Sequence, residues 1–451
     1  MKNALIKLLN SSNFHSLAGN SSFAFFNAAT FLILARSLDK DLFGQWLIYV
    51  TASSLLNMLR LGLTGTGAIR AISLAEGKDK QSYTGASYQL GFYTFAATAV
   101  LFYPSYFILV NYFSESYYYS VLLFYPLLSL VNLPYNQAIV ISQAKMNFYR
   151  GLVLKAIHGT AMFSLIGMYV LFFEVKLGIL ILLHATSNLI PGLVSLIRGW
   201  DGFRYFSCAT KAHTRELLNF GKYSTLISVG SSLLRSADTF ILSMSAAMGA
   251  PAIAIYAIPM KFVEAVEIPL RSFTATAYPK LSQALATSKE KFNSILHSYN
   301  VATTIMILPM LLILLLFAEP LLGFVGGSQY QDSVLLQKKL LYIVLLYILL
   351  LPADRYTGVA LFALDKPVKN FHKTMIMLAA NVIFDLIAVF VFKSLIAVAF
   401  ATLIFTLLGV YWGWFFVKKE SGIKLSAMLI EGMSIVLQVR KLIAKKATTD
   451  L

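Results

Sequence analysis

The feature that most constrains this chain is the unbroken apolar run. The passage "VATTIMILPMLLILLLF" (301–317) carries no charged residue, and comparable runs recur along the sequence. A soluble core cannot absorb so much apolar surface. Only 13% of the residues are charged and 58% are hydrophobic, whereas soluble domains are about 25% charged. Lipid is therefore the solvent for most of the chain. Backbone polar groups in lipid must be satisfied internally, which leaves helices or a closed barrel. Barrel strands alternate over about ten residues. The continuous runs here predict helices, each needing about 20 apolar residues to cross.

Read this way, the sequence holds about twelve transmembrane helices, at 14–36, 43–66, 85–111, 118–143, 151–173, 177–197, 219–246, 251–275, 295–317, 337–362, 373–392 and 394–417. Connections are short and punctuated by Gly, Pro, Asn and Ser. The longest polar insert is 198–217, "RGWDGFRYFSCATKAHTREL". Lys and Arg in short loops mark the cytoplasmic side. With a cytoplasmic N-terminus, 25 of the 37 basic residues collect inside, Lys366, Lys369 and Lys373 among them, and six fall outside. The net charge of +17 is thus mainly a topology signal, and no nucleic acid partner is expected. The first apolar stretch, polar in its first half, reads as an uncleaved span. The basic tail at 423–446 is expected to lie as a helix on the inner leaflet or to pack on the bundle.

Enzyme chemistry has no foothold. The single cysteine, Cys208, excludes a disulfide framework or cysteine metal site. The six histidines show no metal-ligand spacing, so no metal site is expected, and no phosphate-loop, dinucleotide or nucleophile motif is present.

A shift of 210 residues aligns 31–49 with 241–259, placing Trp46 on Tyr256 and Arg70 on Lys280. The hydropathy also divides into six spans and six. Together these predict a parallel internal repeat: an N-terminal lobe over 1–205, a C-terminal lobe over 206–420, and a basic cytoplasmic tail over 421–451. Transporters built from repeats bind substrate between them, near the bilayer midplane.

Several passages carry a family resemblance. "LARSLDKDLFGQW" (34–46) resembles the end of helix one in Wzx-type polysaccharide-unit flippases of the multidrug/oligosaccharidyl-lipid/polysaccharide (MOP) exporter superfamily. The matching residues are Ala35, Arg36, Leu38, Phe43 and Gly44. "LRLGLTGTGAIR" (59–70) is similar to the end of helix two, 236–259 to helix seven with Asp238 and Tyr256, and "AYPKLSQ" (277–283) to the end of helix eight. The resemblance implies an all-α membrane protein, two six-helix lobes around a cavity, in the inner membrane of a bacterium with both termini cytoplasmic. It implies a flippase, not an enzyme, that moves undecaprenyl-pyrophosphate-linked oligosaccharide by alternating access for O-antigen, lipopolysaccharide, capsule or exopolysaccharide assembly. A polysaccharide polymerase and a chain-length regulator are the partner proteins it implies. No cofactor is expected, with H⁺ or Na⁺ as candidate coupling ions.

Ionisable residues within spans are costly, by about 3 kcal/mol each on insertion scales, and mark function or pairing. The bases are Arg60, Lys155, Arg235, Lys261, Arg271 and Arg355, and the acids are Asp238, Glu264, Glu267, Asp354 and Asp385. At helical spacing, Lys261, Glu264, Glu267 and Arg271 share one face of helix eight, within about 120° of arc. Arginine's planar fork suits a pyrophosphate, so Arg60, Arg235, Arg271 and Arg355 lead as ligands, with Lys155 and Lys261 adding charge. Arg70 and Lys280 near the cytoplasmic mouth either capture the headgroup or anchor the topology. The five acids either carry a coupling ion or pair with the bases. Pro352, just before Asp354 and Arg355, is expected to break helix ten as a hinge or cavity wall, or to kink it, and Pro134 to act similarly in helix four. His158 and His184 are expected to be hydrogen-bonded packing residues. The tyrosines of "YFSESYYYS" (112–120) fit an interfacial belt.

Three alternatives remain open. A cation-coupled multidrug antiporter of the same superfamily needs an acidic cavity, and every acid within the spans lies in the second half. The lipid II flippase branch has two further spans. A membrane glycosyltransferase needs a large external loop or an acidic catalytic motif.

Overall fold

The computed structural model describes residues 12–112 and 116–423, and among these the regular structure is entirely helical. The tail helix expected over 423–446, apart from its first residue, and part of "YFSESYYYS" lie outside the described residues. The helices are α1 (Ser12–Ser37), α2 (Lys40–Thr64), α3 (Thr66–Leu74), α4 (Gly77–Tyr112), α5 (Tyr119–Val131), α6 (Leu133–Ala144), α7 (Phe148–Phe172) and α8 (Leu177–Ile197). They continue with α9 (Lys211–Ser243), α10 (Gly249–Thr287), α11 (Lys289–Leu316), α12 (Ala318–Gly326), α13 (Val334–Ala363), α14 (Pro367–Leu386) and α15 (Leu395–Ser421). Short 3₁₀ turns occupy Phe203–Cys208 and Gly327–Ser333. Nine helical stretches among the described residues are long and apolar enough to cross a membrane. The broken pair α5–α6 and the charge-bearing α9 and α10 complete the expected twelve.

The sequence between α1 and α2 shows why the motif there has its form. Leu34, Ala35 and Leu38 are buried, and Phe31 stacks edge-on against Phe43 at 5.2 Å. Asp39 ends the turn by capping α2, its Oδ1 accepting from the Leu42 amide at 2.8 Å. Gly44 then meets the start of α10. A Cβ there would stand 1.9 Å from the carbonyl oxygen of Ala250, so only a residue without one permits this approach.

The two proline expectations come out differently. α13 runs through Pro352 without interruption, so no broken helix is found there. Proline removes one backbone hydrogen bond, and the packing of α13 against α11, α14 and α15 carries the helix across the gap. The break instead falls at Asn132, between α5 and α6, with Pro134 in the first turn of α6. Proline costs least there because the first-turn amides have no intrahelical acceptor.

The chain packs as two compact units. One takes everything up to Thr239 together with Gly249–Ala254, and the other takes Phe240–Met248 and the chain from Ile255 onward. The dividing line falls within α9 and α10. In the first unit α1 packs along α7, α7 along α8, and α4 against the 3₁₀ turn at Phe203–Cys208. In the second, α15 packs on both α13 and α14.

Candidate functional site

The polar stripe on α10 lies in the second unit, where its charges are paired. Lys261 Nζ sits 2.7 Å from Glu264 Oε2, at the exposed end of the stripe. Glu267 is buried and holds two arginines at once. Its Oε2 accepts from Arg271 Nη2 at 2.6 Å, and its Oε1 accepts from Arg355 Nη2 on α13 at 2.7 Å. Two guanidiniums thus share one carboxylate, which leaves a local excess of positive charge. Arg271 and Arg355 retain side-chain exposures of 59% and 37%, so their remaining N–H groups have room to meet a further anion.

Asp354, the residue before Arg355, points elsewhere. Lys373 Nζ lies 2.6 Å from its Oδ1 as an ion pair and donates to its backbone carbonyl at 2.7 Å and to Thr357 Oγ1 at 3.0 Å. Both residues are buried. Lys373 therefore departs from its assignment to a cytoplasmic loop: α14 begins at Pro367 and carries it into the packed interior. Its pairing with Asp354 was discernible in principle, since the two lie at similar depth on consecutive helices and bear opposite charge. Asp385 is also buried, and its Oδ2 accepts from Asn381 Nδ2 at 3.1 Å. Lys280 is exposed and lies over the Tyr299 ring at 5.4 Å.

The first unit holds the other predicted residues. Arg60 is buried, and its Nη1 donates to the carbonyl and, at 2.9 Å, to the hydroxyl of Ser129. Its Nη2 has no hydrogen-bond partner, and no carboxylate pairs with Arg60 among the described residues. Lys155 donates to Asn20 Oδ1 at 2.6 Å. Arg235 is exposed and Asp238 buried, and both are engaged with neighbours. Arg70 is exposed on α3. The structure thus gathers Glu267, Arg271 and Arg355, and separately Asp354 and Lys373. Arg60 and Lys155 belong to the first unit.

The histidines pack, but not as expected. His158 lies between Phe23 and Tyr135, with ring centroids at 5.1 and 5.2 Å, and neither of its nitrogens has a hydrogen-bond partner. His184 stands edge-on to Trp46 and Tyr49. Aromatic contacts take the place of the expected hydrogen bonds. No group of three or more His, Cys, Asp or Glu suited to a metal occurs among the described residues.

A family model described as "Polysaccharide biosynthesis protein" matches residues 33–335. No curated protein matches the sequence. Among solved structures, the fold is similar to an inward-facing multidrug resistance MATE family transporter of the MOP superfamily, with a TM-score of 0.72 and 14% identity over 90% of this chain and 99% of that one. It is similar to the lipid II flippase MurJ in an inward closed conformation, with a TM-score of 0.72 and 15% identity over 96% of this chain and 92% of that one. It is also similar to a MOP superfamily transporter from Pyrococcus furiosus described as having a binding pocket of reverse polarity. That match has a TM-score of 0.60 and 16% identity over 90% of this chain and 94% of the other. At these identities the structural likeness establishes the fold.

Proposed function

Since the chain belongs to the polysaccharide biosynthesis protein family and has the fold of MOP superfamily transporters, we propose that it is a flippase for polyprenyl-pyrophosphate-linked oligosaccharides. The substrate would be carried across a bacterial inner membrane by alternating access, with both chain termini cytoplasmic and the two lobes as the moving bodies. The glycan would serve O-antigen, capsule or exopolysaccharide assembly, passing to a polymerase and a chain-length regulator. The coupling ion is H⁺ or Na⁺, with Asp238, Glu264, Glu267, Asp354 and Asp385 as the acids considered for it.

One observation carries this reading: Arg271 and Arg355 share the single carboxylate of Glu267. A cationic pair only half neutralised favours an anionic headgroup over a cationic drug. Guanidiniums match phosphate oxygens in bidentate geometry. Binding needs no covalent step. A transporter spends its binding energy on the difference between two conformations.

The test is surface polysaccharide in cells carrying Arg271→Ala or Arg355→Ala, with membrane protein levels measured in parallel. Loss of polysaccharide at unchanged protein level supports the assignment. Normal polysaccharide in both variants overturns it. Recovery of Arg271→Ala by a second change, Glu267→Ala, would show that the arginine serves packing.

A further inference from the structure

The first unit contains a second cationic feature, distant in sequence from the stripe on α10. Lys145, Arg150, Arg198 and Arg204 line one pocket of about 250 Å³ with Thr84 and Trp200. Lys145 follows α6, Arg150 lies in the first turn of α7, and Arg198 and Arg204 follow α8, at the end of the unit where the loop Lys and Arg collect.

Local chain chemistry builds the pocket. α8 ends in a paired cap: the Trp200 amide donates to the Ser195 carbonyl at 2.8 Å and the Gly199 amide to Leu196 at 3.0 Å, with Gly199 at φ 62°. α6 ends in the same way, with Asn147 donating to Ser142 at 2.8 Å and Met146 to Gln143 at 3.1 Å. The 3₁₀ turn that carries Arg204 and Tyr205 is pressed onto α4, where a Cβ on Gly85 would come within 2.0 Å of the Tyr205 carbonyl oxygen. Gln89 Nε2 donates to the Phe206 carbonyl at 3.0 Å and holds it there.

The charge around this pocket does not balance. Two helix C-termini face it, each worth about half a negative charge, against four cations. None of the four makes an ion pair among the described residues. The nearest carboxylate in sequence, Asp201, is buried beside the pocket, and burial pushes its pKa up. Lys145 has its pKa lowered by loss of solvent and by the charges of Lys80, Arg150 and Arg204. Arg150 lies 5.3 Å from the centre of the Trp200 ring and Arg204 4.7 Å from that of Tyr205. Stacking engages the faces of the guanidiniums and leaves their N–H edges to donate. Ordinary topology anchors need neither a shared pocket nor aromatic platforms.

We propose that the pocket lined by Lys145, Arg150, Arg198 and Arg204 binds a phosphate group, carried either by an anionic membrane lipid or by a soluble compound. Three arginine forks set around one space suit a tetrahedral multi-oxygen anion, and the volume admits a phosphate with part of its carrier. The site is built wholly within the first unit, and it does not rest on the identity of the transported substrate.

The test uses the full chain in nanodiscs. In one arm, made with zwitterionic lipid only, inorganic pyrophosphate is titrated calorimetrically. In the other, lipid retention is read by native mass spectrometry from discs containing phosphatidylglycerol and phosphatidylcholine. Binding in the first arm identifies a soluble source, and selective phosphatidylglycerol retention identifies a lipid source. Whichever arm is positive, Arg198→Ala weakens it about tenfold and Arg150→Ala/Arg204→Ala abolishes it. Lys176→Ala, a cation outside the pocket, leaves it unchanged. Arg198→Lys retains part of the binding, which separates lost recognition from lost folding. No binding in either arm overturns the proposal, as does equal loss in Lys176→Ala.

Discussion

Glu267 and Glu264 sit one turn apart on the same helix face, yet the structure gives them different weights. The Lys261–Glu264 pair is largely exposed at the acid, 63%, and such pairs contribute about 0–1 kcal/mol. Glu267 is 9% exposed and pairs with two arginines. Removing one partner from a buried pair costs about 3–5 kcal/mol, and the partial exposure of both arginines reduces this to about 2 kcal/mol. Thermal melting in detergent should therefore show Glu267→Gln well below wild type and Glu264→Gln near it. Equal shifts would contradict the assigned burial. Lys373 poses a sharper case. Lys373→Met leaves Asp354 charged and buried, and about 3 kcal/mol of stability should be lost. The double change Asp354→Asn/Lys373→Met removes both charges and should recover most of it. A double variant no better than the single would mean that Lys373 acts through its bonds to the Asp354 carbonyl and Thr357 instead.

At the scale of elements, much of the organisation was legible because it is local. Helix α8 was predicted at its observed bounds, since an apolar run flanked by Lys176 and Arg198 leaves little freedom. The motif at Asp39 and Gly44 was recognised by resemblance, and the structure supplies its physics: a cap, then a close approach to α10. Substitution should expose the second part. Gly44→Ala places a methyl group against the Ala250 carbonyl and should cost about 1–3 kcal/mol through overpacking. Gly323→Ala on α12 meets nothing within 4 Å and should be stabilising by about 0.5–1 kcal/mol, as alanine favours helix over glycine. The contrast between the two melting temperatures is the measurement. What the sequence left hidden at this scale was how helices end and break. A proline inside an apolar run marks a lost hydrogen bond, but packing from neighbouring helices decides whether the helix yields. Pro352 is surrounded by such packing, whereas Pro134 begins a new helix.

For the molecule as a whole, the stripe on α10 could be read from spacing alone, because its contacts run three and four positions along one helix. The clamp onto Arg355 could not, since that partner lies 88 positions away. The phosphate pocket was dissolved in the charge count for the same reason: its cations come from two separate stretches of chain, 145–150 and 198–204, and composition sees them only as a bias. That bias nevertheless makes a strong statement about orientation. The chain has one cysteine, and Cys208 is exposed in the polar segment between α8 and α9, on the side to which the Lys and Arg distribution assigns the cytoplasm. A membrane-impermeant maleimide should leave Cys208 unlabelled in intact cells and label it in inverted membrane vesicles. In a Cys208→Ala background, a cysteine placed at Lys176 should show the opposite pattern, because α7 and α8 meet there on the other side. The pair of sites makes the result self-controlling: an exposed cysteine that fails to label from one side must label from the other. Labelling of Cys208 from outside, together with protection of position 176, would invert the orientation. It would also put the phosphate pocket on the external face, where an inner-leaflet headgroup could not reach it.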